Sequence, residues 1–226
     1  MVFVILFALV LLALFLPSWW AGWVLRRYST EREDYPGTGG EFARHLLDRF
    51  DMGHVQVEET NGGDHYDPMA KAVRLSPEYL NGRSLTAVTV AAHEVGHAIQ
   101  DHRGYTPLAW RTRLVSVAGS AEKLGAALMM LAPLLLLVTR RPAGGLIMLL
   151  GGALSFGAAA LVHLVTLPVE LDASYRRAMP ILASGYLPKE DLAPARRILT
   201  ACAFTYVAAS LASMLNLWRW LAILRR

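Results

Sequence analysis

The sequence contains little cysteine and little charge. Its one cysteine, Cys202, has no partner in the chain, which excludes an intrachain disulfide framework. Charged residues make up 18% of the 226 residues, whereas an average soluble domain has about 25%. The 22 basic and 18 acidic residues nearly balance, so we expect no nucleic-acid partner. The composition does not indicate an oligomeric state. A hydrophobic fraction of 54% excludes a disordered chain.

The hydrophobic residues are concentrated in four long runs. A membrane-spanning helix needs about 20 apolar residues, and each run reaches or approaches that length. The sequence therefore predicts about four transmembrane helices and a lipid bilayer around them. A buried helix of a soluble core is the alternative for the second run, whose charge-free part, Leu124–Thr139, is short. The predicted helices span residues 1–25, 116–139, 143–167 and 201–224.

The positions of the basic residues predict how these helices are oriented. Arg26 and Arg27 follow the first run and no signal-peptide cleavage site precedes them, so we expect an uncleaved anchor. Segments 26–123 and 168–200 hold 12 and 5 basic residues, and basic loops prefer the cytoplasm. The short loop with Arg140 and Arg141 opposes this orientation. The expected location is a cytoplasmic membrane, crossed several times, with the active site facing the cytoplasm.

The polar residues between the first two runs, 26–115, predict a small α+β domain. Thr38 followed by Glu41 is the pattern of a capping box, and it predicts a helix that continues through Phe50. Ser84 can cap a second, longer helix. The other expected elements are short strands at 55–58 and 72–75, a loop before the second strand, and the second helix from 85 to about 102.

The second helix contains the pattern H-E-x-x-H. His93 and His97 are four residues apart, so they lie on one face of the helix and can bind the same metal ion. Glu94 is then placed to act as general base on a metal-activated water. The expected fold is therefore a mainly α integral membrane protein with a zincin-like α+β domain and a short sheet.

A catalytic zinc site needs a third protein ligand, and the chain after His97 offers several carboxylates. Asp101 lies one helical turn too far along to share the ion. Glu170 and Asp172 follow the third apolar run, so two predicted membrane crossings return them to the side of His97. The carboxylates considered are Asp101, Glu122, Glu170, Asp172, Glu190 and Asp191.

Four blocks of sequence resemble the bacterial membrane neutral zinc metallopeptidase family, whose members are called YugP-like. The blocks occur in the family's order through nearly the whole chain. They are residues 90–100 around the H-E-x-x-H pattern, Asp64-His65-Tyr66-Asp67-Pro68 with 73–76, Leu167-Pro168-Val169-Glu170 with Ala173-Ser174, and 205–209.

This family is broadly similar to the HtpX and CAAX prenyl protease class of gluzincins, and the resemblance implies a zinc endopeptidase with one Zn²⁺. In that class a glutamate followed at three and four residues by Ala-Asp supplies the third ligand. Here Glu170 and Ala173 match that pattern, and Ser174 replaces the aspartate. The resemblance thus implies that His93, His97 and Glu170 bind the ion, with Glu170 contributed by a helical segment at 168–200.

Several further residues are candidates for supporting roles. Asp172 is expected to orient a histidine rather than to bind the ion. The strand at 72–75 either pairs with an extended peptide substrate or belongs only to the core of the sheet. His65, Tyr66 and Asp67 either form a turn or line the cleft. Arg176 and Arg177 contact lipid headgroups or substrate, and Tyr206 reaches the site or lies at the membrane interface.

The leading hypothesis is a membrane-embedded zinc endopeptidase that cleaves protein or peptide substrates. A membrane scaffold with a structural or vestigial zinc site is the alternative, although such a site has no use for Glu94. An intramembrane protease of the site-2 type is a third possibility. It is disfavoured because polar residues flank the H-E-x-x-H helix and because the chain contains no Asp-Gly pair.

Overall fold

A computed structural model describes residues 2–139, 145–147, 150–152, 162 and 165–205. In these residues the protein is mainly helical with one small sheet, as the sequence predicts. The elements up to residue 139 are the helices α1 (Val2–Arg27), α2 (Gly39–Arg49), α3 (Pro77–Asn81), α4 (Leu85–His102) and α5 (Thr106–Thr139), and the strands β1 (Gln56–Glu59), β2 (His65–Asp67) and β3 (Ala72–Leu75).

The sheet has three strands in the order β1-β3-β2. β1 pairs with β3 in parallel and β2 pairs with β3 antiparallel, so that Val73 lies opposite both Val57 and Tyr66. Residues 65–67, which the sequence placed in a loop, therefore form an edge strand. Of the two roles left open for the strand at 72–75, pairing with a substrate is wrong and a place in the core of the sheet is confirmed, because β3 has a neighbour on each side.

The two predicted helix starts are confirmed. The Thr38 hydroxyl accepts from the Glu41 N–H and the Glu41 carboxylate accepts from the Thr38 N–H, which completes the capping box of α2. The Ser84 hydroxyl accepts from the Ala87 N–H at 3.1 Å and begins α4. Every residue of α4 from Leu85 to Gln100 is buried, so this helix forms the centre of the fold.

A helical hairpin from the second half of the chain packs on α4. Residues 165–171 are α-helical and continue into a π-helical segment, Asp172–Ala178, here called the π-segment. A short α-helix, Met179–Ile181, and a second π-helical stretch, Leu182–Tyr186, follow. Residues 189–205 are again helical. The buried residues Ile198 and Leu199 place this last helix in the same core as α4.

A charged network joins the segment after α1 to the last helix. The Arg32 guanidinium donates to both carboxylate oxygens of Asp191, at 2.9 and 2.8 Å, and the Tyr35 hydroxyl donates to the same carboxylate at 2.7 Å. Asp191 is buried, so these three bonds satisfy a carboxylate that would otherwise be costly to bury. The network fixes where residues 189–205 begin.

The prediction of about four transmembrane helices is wrong for the part of the chain that the structure describes. None of the helices in these residues is both long and apolar enough to cross a membrane. The last turns of α1 pack into the core through Ala21 and Val24. α5 carries four charged residues, Arg111, Arg113, Glu122 and Lys123. Most of the predicted spans 143–167 and 201–224 lies outside the described residues.

Candidate metal centre

Three buried side chains converge between α4 and the helical hairpin. His93 and His97 lie on one face of α4, with ring centroids 4.8 Å apart. The Glu170 carboxylate comes from the helix at 165–171, and its Oε2 lies 3.2 Å from the Nε2 atom of each ring. The three potential ligand atoms lie within 4.8 Å of one another. The structure thus brings together the three residues that the sequence proposed as metal ligands.

Ser174 determines which nitrogen of His93 carries the hydrogen. Its hydroxyl lies 3.1 Å from His93 Nδ1 and donates to the Leu199 carbonyl oxygen, also at 3.1 Å. A carbonyl oxygen can only accept, so the hydroxyl hydrogen points to Leu199 and the hydroxyl oxygen accepts from His93 Nδ1–H. Nε2 of His93 therefore presents its lone pair to Glu170.

Gln100 determines which ring nitrogen of His97 carries the hydrogen. Its amide nitrogen donates to the Val169 carbonyl oxygen at 2.9 Å and to Asp172 Oδ2 at 2.8 Å. Both partners are acceptors, so the amide oxygen faces His97 and accepts from its Nδ1–H at 2.9 Å. His97 Nε2 therefore also presents a lone pair to Glu170, as metal-binding histidines do when a neighbouring acceptor fixes their tautomer.

This arrangement requires a positive charge between the rings and Glu170. Two lone pairs and a carboxylate face one another in a buried space, and a metal ion or a proton on one of the rings offsets their repulsion. Among the described residues, Oε1 of Glu170 has no hydrogen-bond partner. Two imidazole nitrogens and one carboxylate oxygen are the donor set of catalytic zinc sites in several metalloproteases. The residues therefore fit a zinc ion.

The pKa shifts agree with a site that holds positive charge. Burial by itself raises the pKa of Glu170, but His97 and His93 outweigh burial and hold that pKa well below its ordinary value. Burial lowers the pKa of His97, but Glu170 and Glu94 together outweigh burial and raise that pKa. In both cases burial is the largest single influence, but the opposite charges and hydrogen bonds across the site together outweigh it, so the same contacts favour a cation there.

Glu94 lies beside these ligands but has a different environment. Its carboxyl group is buried, and burial raises its pKa above the ordinary value, while His93 and His97 act in the opposite direction. A carboxylate with a raised pKa next to a metal site is typical of general bases.

The three candidates that form β2 contact residues outside the cluster. His65 Nδ1 contacts the Gly63 carbonyl oxygen at 2.8 Å, and the Tyr66 hydroxyl donates to Asp101 at 2.6 Å. Asp67 accepts from the Met69 and Ala70 N–H groups and from Arg74. The bonds of Asp67 stabilise the turn between β2 and β3, and the bond of Tyr66 joins β2 to α4. These contacts favour a structural role for the three residues over a direct role at the cluster.

Of the remaining candidates, Asp172 and Arg177 take part in the hydrogen bonds around the metal centre. Asp172 accepts from Gln100 and from Arg177 Nε at 3.1 Å, so it supports the bond that orients His97. Arg176 is exposed. Tyr206 lies outside the described residues. Gln100 was not predicted as a site residue, although its position three residues after His97 on the same helix face is a signal that could have identified it.

Gly96 allows α4 and the π-segment to approach closely. A Cβ atom at this position would lie 2.9 Å from the Ala173 carbonyl oxygen and 3.4 Å from the Arg177 Cβ. Backbone cannot give way as easily as a side chain, so any larger residue separates the two helices. That separation would move Ser174 and Glu170 away from His93.

We expect Gly96→Ala to lower the free energy of unfolding by about 1–3 kcal/mol, the usual cost of overpacking a core. Urea unfolding of the metal-free protein measures this. Gly119→Ala in α5 is the matched control, because nothing lies within 4 Å of its Cβ position, and alanine there is expected to be neutral or stabilising. Equal unfolding midpoints for Gly96→Ala and wild type would contradict the close approach.

Replacing Gln100 is expected to weaken zinc binding without removing a ligand. Gln100→Ala leaves the Nδ1–H of His97 without an acceptor, and loss of such a partner typically lowers metal affinity by about 10–100-fold. Competition with a chromophoric chelator measures the zinc dissociation constant. Gln56→Ala, an exposed glutamine of β1, serves as control and is expected to bind zinc like wild type. An unchanged constant in Gln100→Ala would refute the assigned bond.

Comparisons with known proteins agree with this donor set. A family model described as "Putative neutral zinc metallopeptidase" matches residues 3–225. A Bacillus subtilis (strain 168) protein named "Putative membrane protease YugP" is 36% identical over 213 residues, which cover 91% of this chain and 91% of the relative. No solved structure matches the chain. The resemblance predicted from the sequence blocks is confirmed, and the chain belongs to the neutral zinc metallopeptidase family.

Proposed function

We propose that this protein is a zinc-dependent endopeptidase. His93, His97 and Glu170 hold the ion, and Glu94 is the general base. The metallopeptidase domain comprises residues 26–115, and residues 168–200 add the third ligand. The observation that carries the proposal is the fixed tautomer of both histidines, which directs two lone pairs and one carboxylate at a single point.

The chain's own residues supply the proton transfers of peptide hydrolysis. Zinc, when bound, acts as a Lewis acid that acidifies water and polarises a peptide carbonyl. Glu94 accepts the proton that the attacking water loses. The same carboxyl group then donates this proton to the nitrogen of the breaking C–N bond, so that the amine leaves neutral and Glu94 returns to its starting state.

The non-catalytic scaffold is the competing function, and Glu94 argues against it. Burial of this carboxyl group is costly, and a purely structural zinc site gains nothing from a base beside its ligands. The ligand set also has three members in the described residues, whereas structural zinc sites usually have four protein ligands. Three ligands leave one position for water or substrate.

Glu94→Gln is expected to retain zinc and lose activity, because the amide keeps the side-chain volume but cannot take a proton. With unfolded casein as substrate, cleavage should fall by at least about 100-fold, as is typical when a general base is removed. Glu190→Gln, the same exchange at an exposed position, is expected to cleave at the wild-type rate. Equal cleavage by Glu94→Gln and wild type would refute the mechanism, and zinc binding without any cleavage by wild type would favour the scaffold.

The protein acts at the bacterial cytoplasmic membrane, with its active site on the cytoplasmic side. Two observations support the membrane part of this location. The Bacillus subtilis relative is named a membrane protease, and Trp19, Trp23 and Trp110 are exposed by 67%, 49% and 56%. Tryptophan is enriched at membrane–water interfaces, and contiguous patches of exposed apolar side chains commonly mark interaction surfaces.

After cell breakage and ultracentrifugation, we expect the full-length protein in the membrane pellet. The double variant Trp19→Ser/Trp23→Ser is expected to release a larger share into the supernatant, since it removes two exposed indoles. Met69→Ser, which changes an exposed apolar side chain on the β2–β3 turn, should distribute like wild type. Recovery of wild-type protein entirely in the supernatant would contradict this location.

A further inference from the structure

Arg111 reaches the metal centre from a helix that contributes no ligand. Its Nη2 atom lies 3.8 Å from Oε1 of Glu170, and its side chain is only 19% exposed. Arg111 lies outside every motif recognised in the sequence. Burial of a guanidinium is costly unless it is paired, and here the ion pair with Glu170 offsets part of that cost.

The turn between α4 and α5 fixes where Arg111 lies. Gly104 adopts a φ of 63°, a left-handed conformation that favours glycine. The Tyr105 N–H then donates to the Gln100 carbonyl oxygen at 2.8 Å, and buried Leu108 holds the first turn of α5 against the core. Arg111 therefore projects from the second turn of a helix whose start is bound directly to α4.

The distance between Arg111 and Glu170 distinguishes the role of Arg111 from that of Arg177. At 3.8 Å the contact is an ion pair but is too long for a hydrogen bond. Arg177, by contrast, donates to Asp172 at 3.1 Å and thereby joins the network that orients His97. Arg111 thus brings a positive charge to the metal centre without forming a hydrogen bond to the ligand carboxylate of Glu170.

We propose that Arg111 is a catalytic residue that donates to the substrate carbonyl oxygen as negative charge develops on it. This inference rests on the proposed function. During hydrolysis the attack of water forms one C–O bond and moves the carbonyl electron pair onto oxygen, and the pair returns when the C–N bond breaks. A guanidinium has several N–H donors in a rigid plane and stays charged at every relevant pH, so it stabilises that charge without exchanging a proton.

The alternative is that Arg111 only balances the charge of Glu170 and thereby tunes how tightly zinc binds. The two roles differ in what the arginine changes. A charge-balancing arginine alters zinc affinity and affects activity only through zinc occupancy. A residue that stabilises the developing oxyanion leaves zinc affinity unchanged and lowers kcat, because the interaction is made in the transition state.

The test compares Arg111→Gln and Arg111→Lys with Arg113→Gln, which removes an exposed arginine two residues away. In the zinc-saturated protein we expect Arg111→Gln to lower kcat on a casein-derived fluorogenic peptide by about 100-fold, as for loss of one oxyanion donor. KM and the zinc dissociation constant should stay at wild-type values. Arg111→Lys should retain part of kcat, and Arg113→Gln all of it.

Inhibitor binding gives a readout that does not depend on turnover. N-phosphoryl-Leu-Trp presents tetrahedral anionic oxygens, whereas a leucine hydroxamate binds zinc through a planar group. Arg111→Gln should raise the inhibition constant of the phosphoryl compound by about 100-fold and leave that of the hydroxamate unchanged. A parallel loss of zinc affinity and activity, equal weakening of both inhibitors, or an unchanged kcat would each overturn the assignment.

These outcomes are distinguishable from failure of the proposed function. If the wild-type protein cleaves no peptide, the endopeptidase proposal fails whatever Arg111 does. In that case the ratio of the two inhibitor constants still decides whether Arg111 binds a tetrahedral anion beside the metal, since neither constant requires catalysis. If the wild type cleaves casein and the Arg111 variants cleave it equally well, the endopeptidase proposal stands and the role of Arg111 is refuted.

Discussion

Two backbone carbonyl oxygens, those of Val169 and Leu199, determine the direction of the hydrogen bonds in the metal centre. Each can only accept, so the Gln100 amide and the Ser174 hydroxyl must donate to them. The remaining acceptor of each side chain then faces the Nδ1 of a histidine. As a result both rings direct Nε2 lone pairs at Glu170. The metal-binding property of His93 and His97 therefore depends on backbone atoms that do not touch the metal position.

The rest of the fold keeps these carbonyl groups in place. α4 is buried along most of its length, and Gly96 allows the π-segment to approach within contact of it. The helix at 189–205 supplies Leu199 and is held at its start by the bonds of Asp191 to Arg32 and Tyr35. Residues far from the chemistry thus control ligand geometry through a small number of directional bonds.

Local patterns in the sequence were sufficient to predict part of the structure. The capped starts of α2 and α4 and the position of β3 were predicted correctly, because each depends on residues close together in the chain. Ser174 was recognised only as a departure from the gluzincin aspartate. Its actual contacts join His93 to Leu199, across 81 and 25 residues of sequence, and no local pattern contains that information.

Other predictions failed for identifiable physical reasons. β2 was assigned to a loop because Asp64, Asp67 and Pro68 are typical of turns, whereas pairing with β3 overrides that preference in the fold. The transmembrane prediction counted the length of apolar, nearly charge-free runs, and it did not include the packing of Ala21 and Val24 of α1 in the core. Arg111 was overlooked because its role depends on the α4–α5 turn, which places it 3.8 Å from a residue 59 positions later.

The most direct test of this account is the tautomeric state of the two histidines in the zinc-loaded protein. Long-range ¹H–¹⁵N correlation spectra of protein labelled at histidine distinguish a hydrogen on Nδ1 from one on Nε2. The account predicts that His93 and His97 both carry the hydrogen on Nδ1 and bind zinc through Nε2. A hydrogen on Nε2 of either ring would contradict it, because that ring could not bind zinc together with Glu170 in the arrangement described.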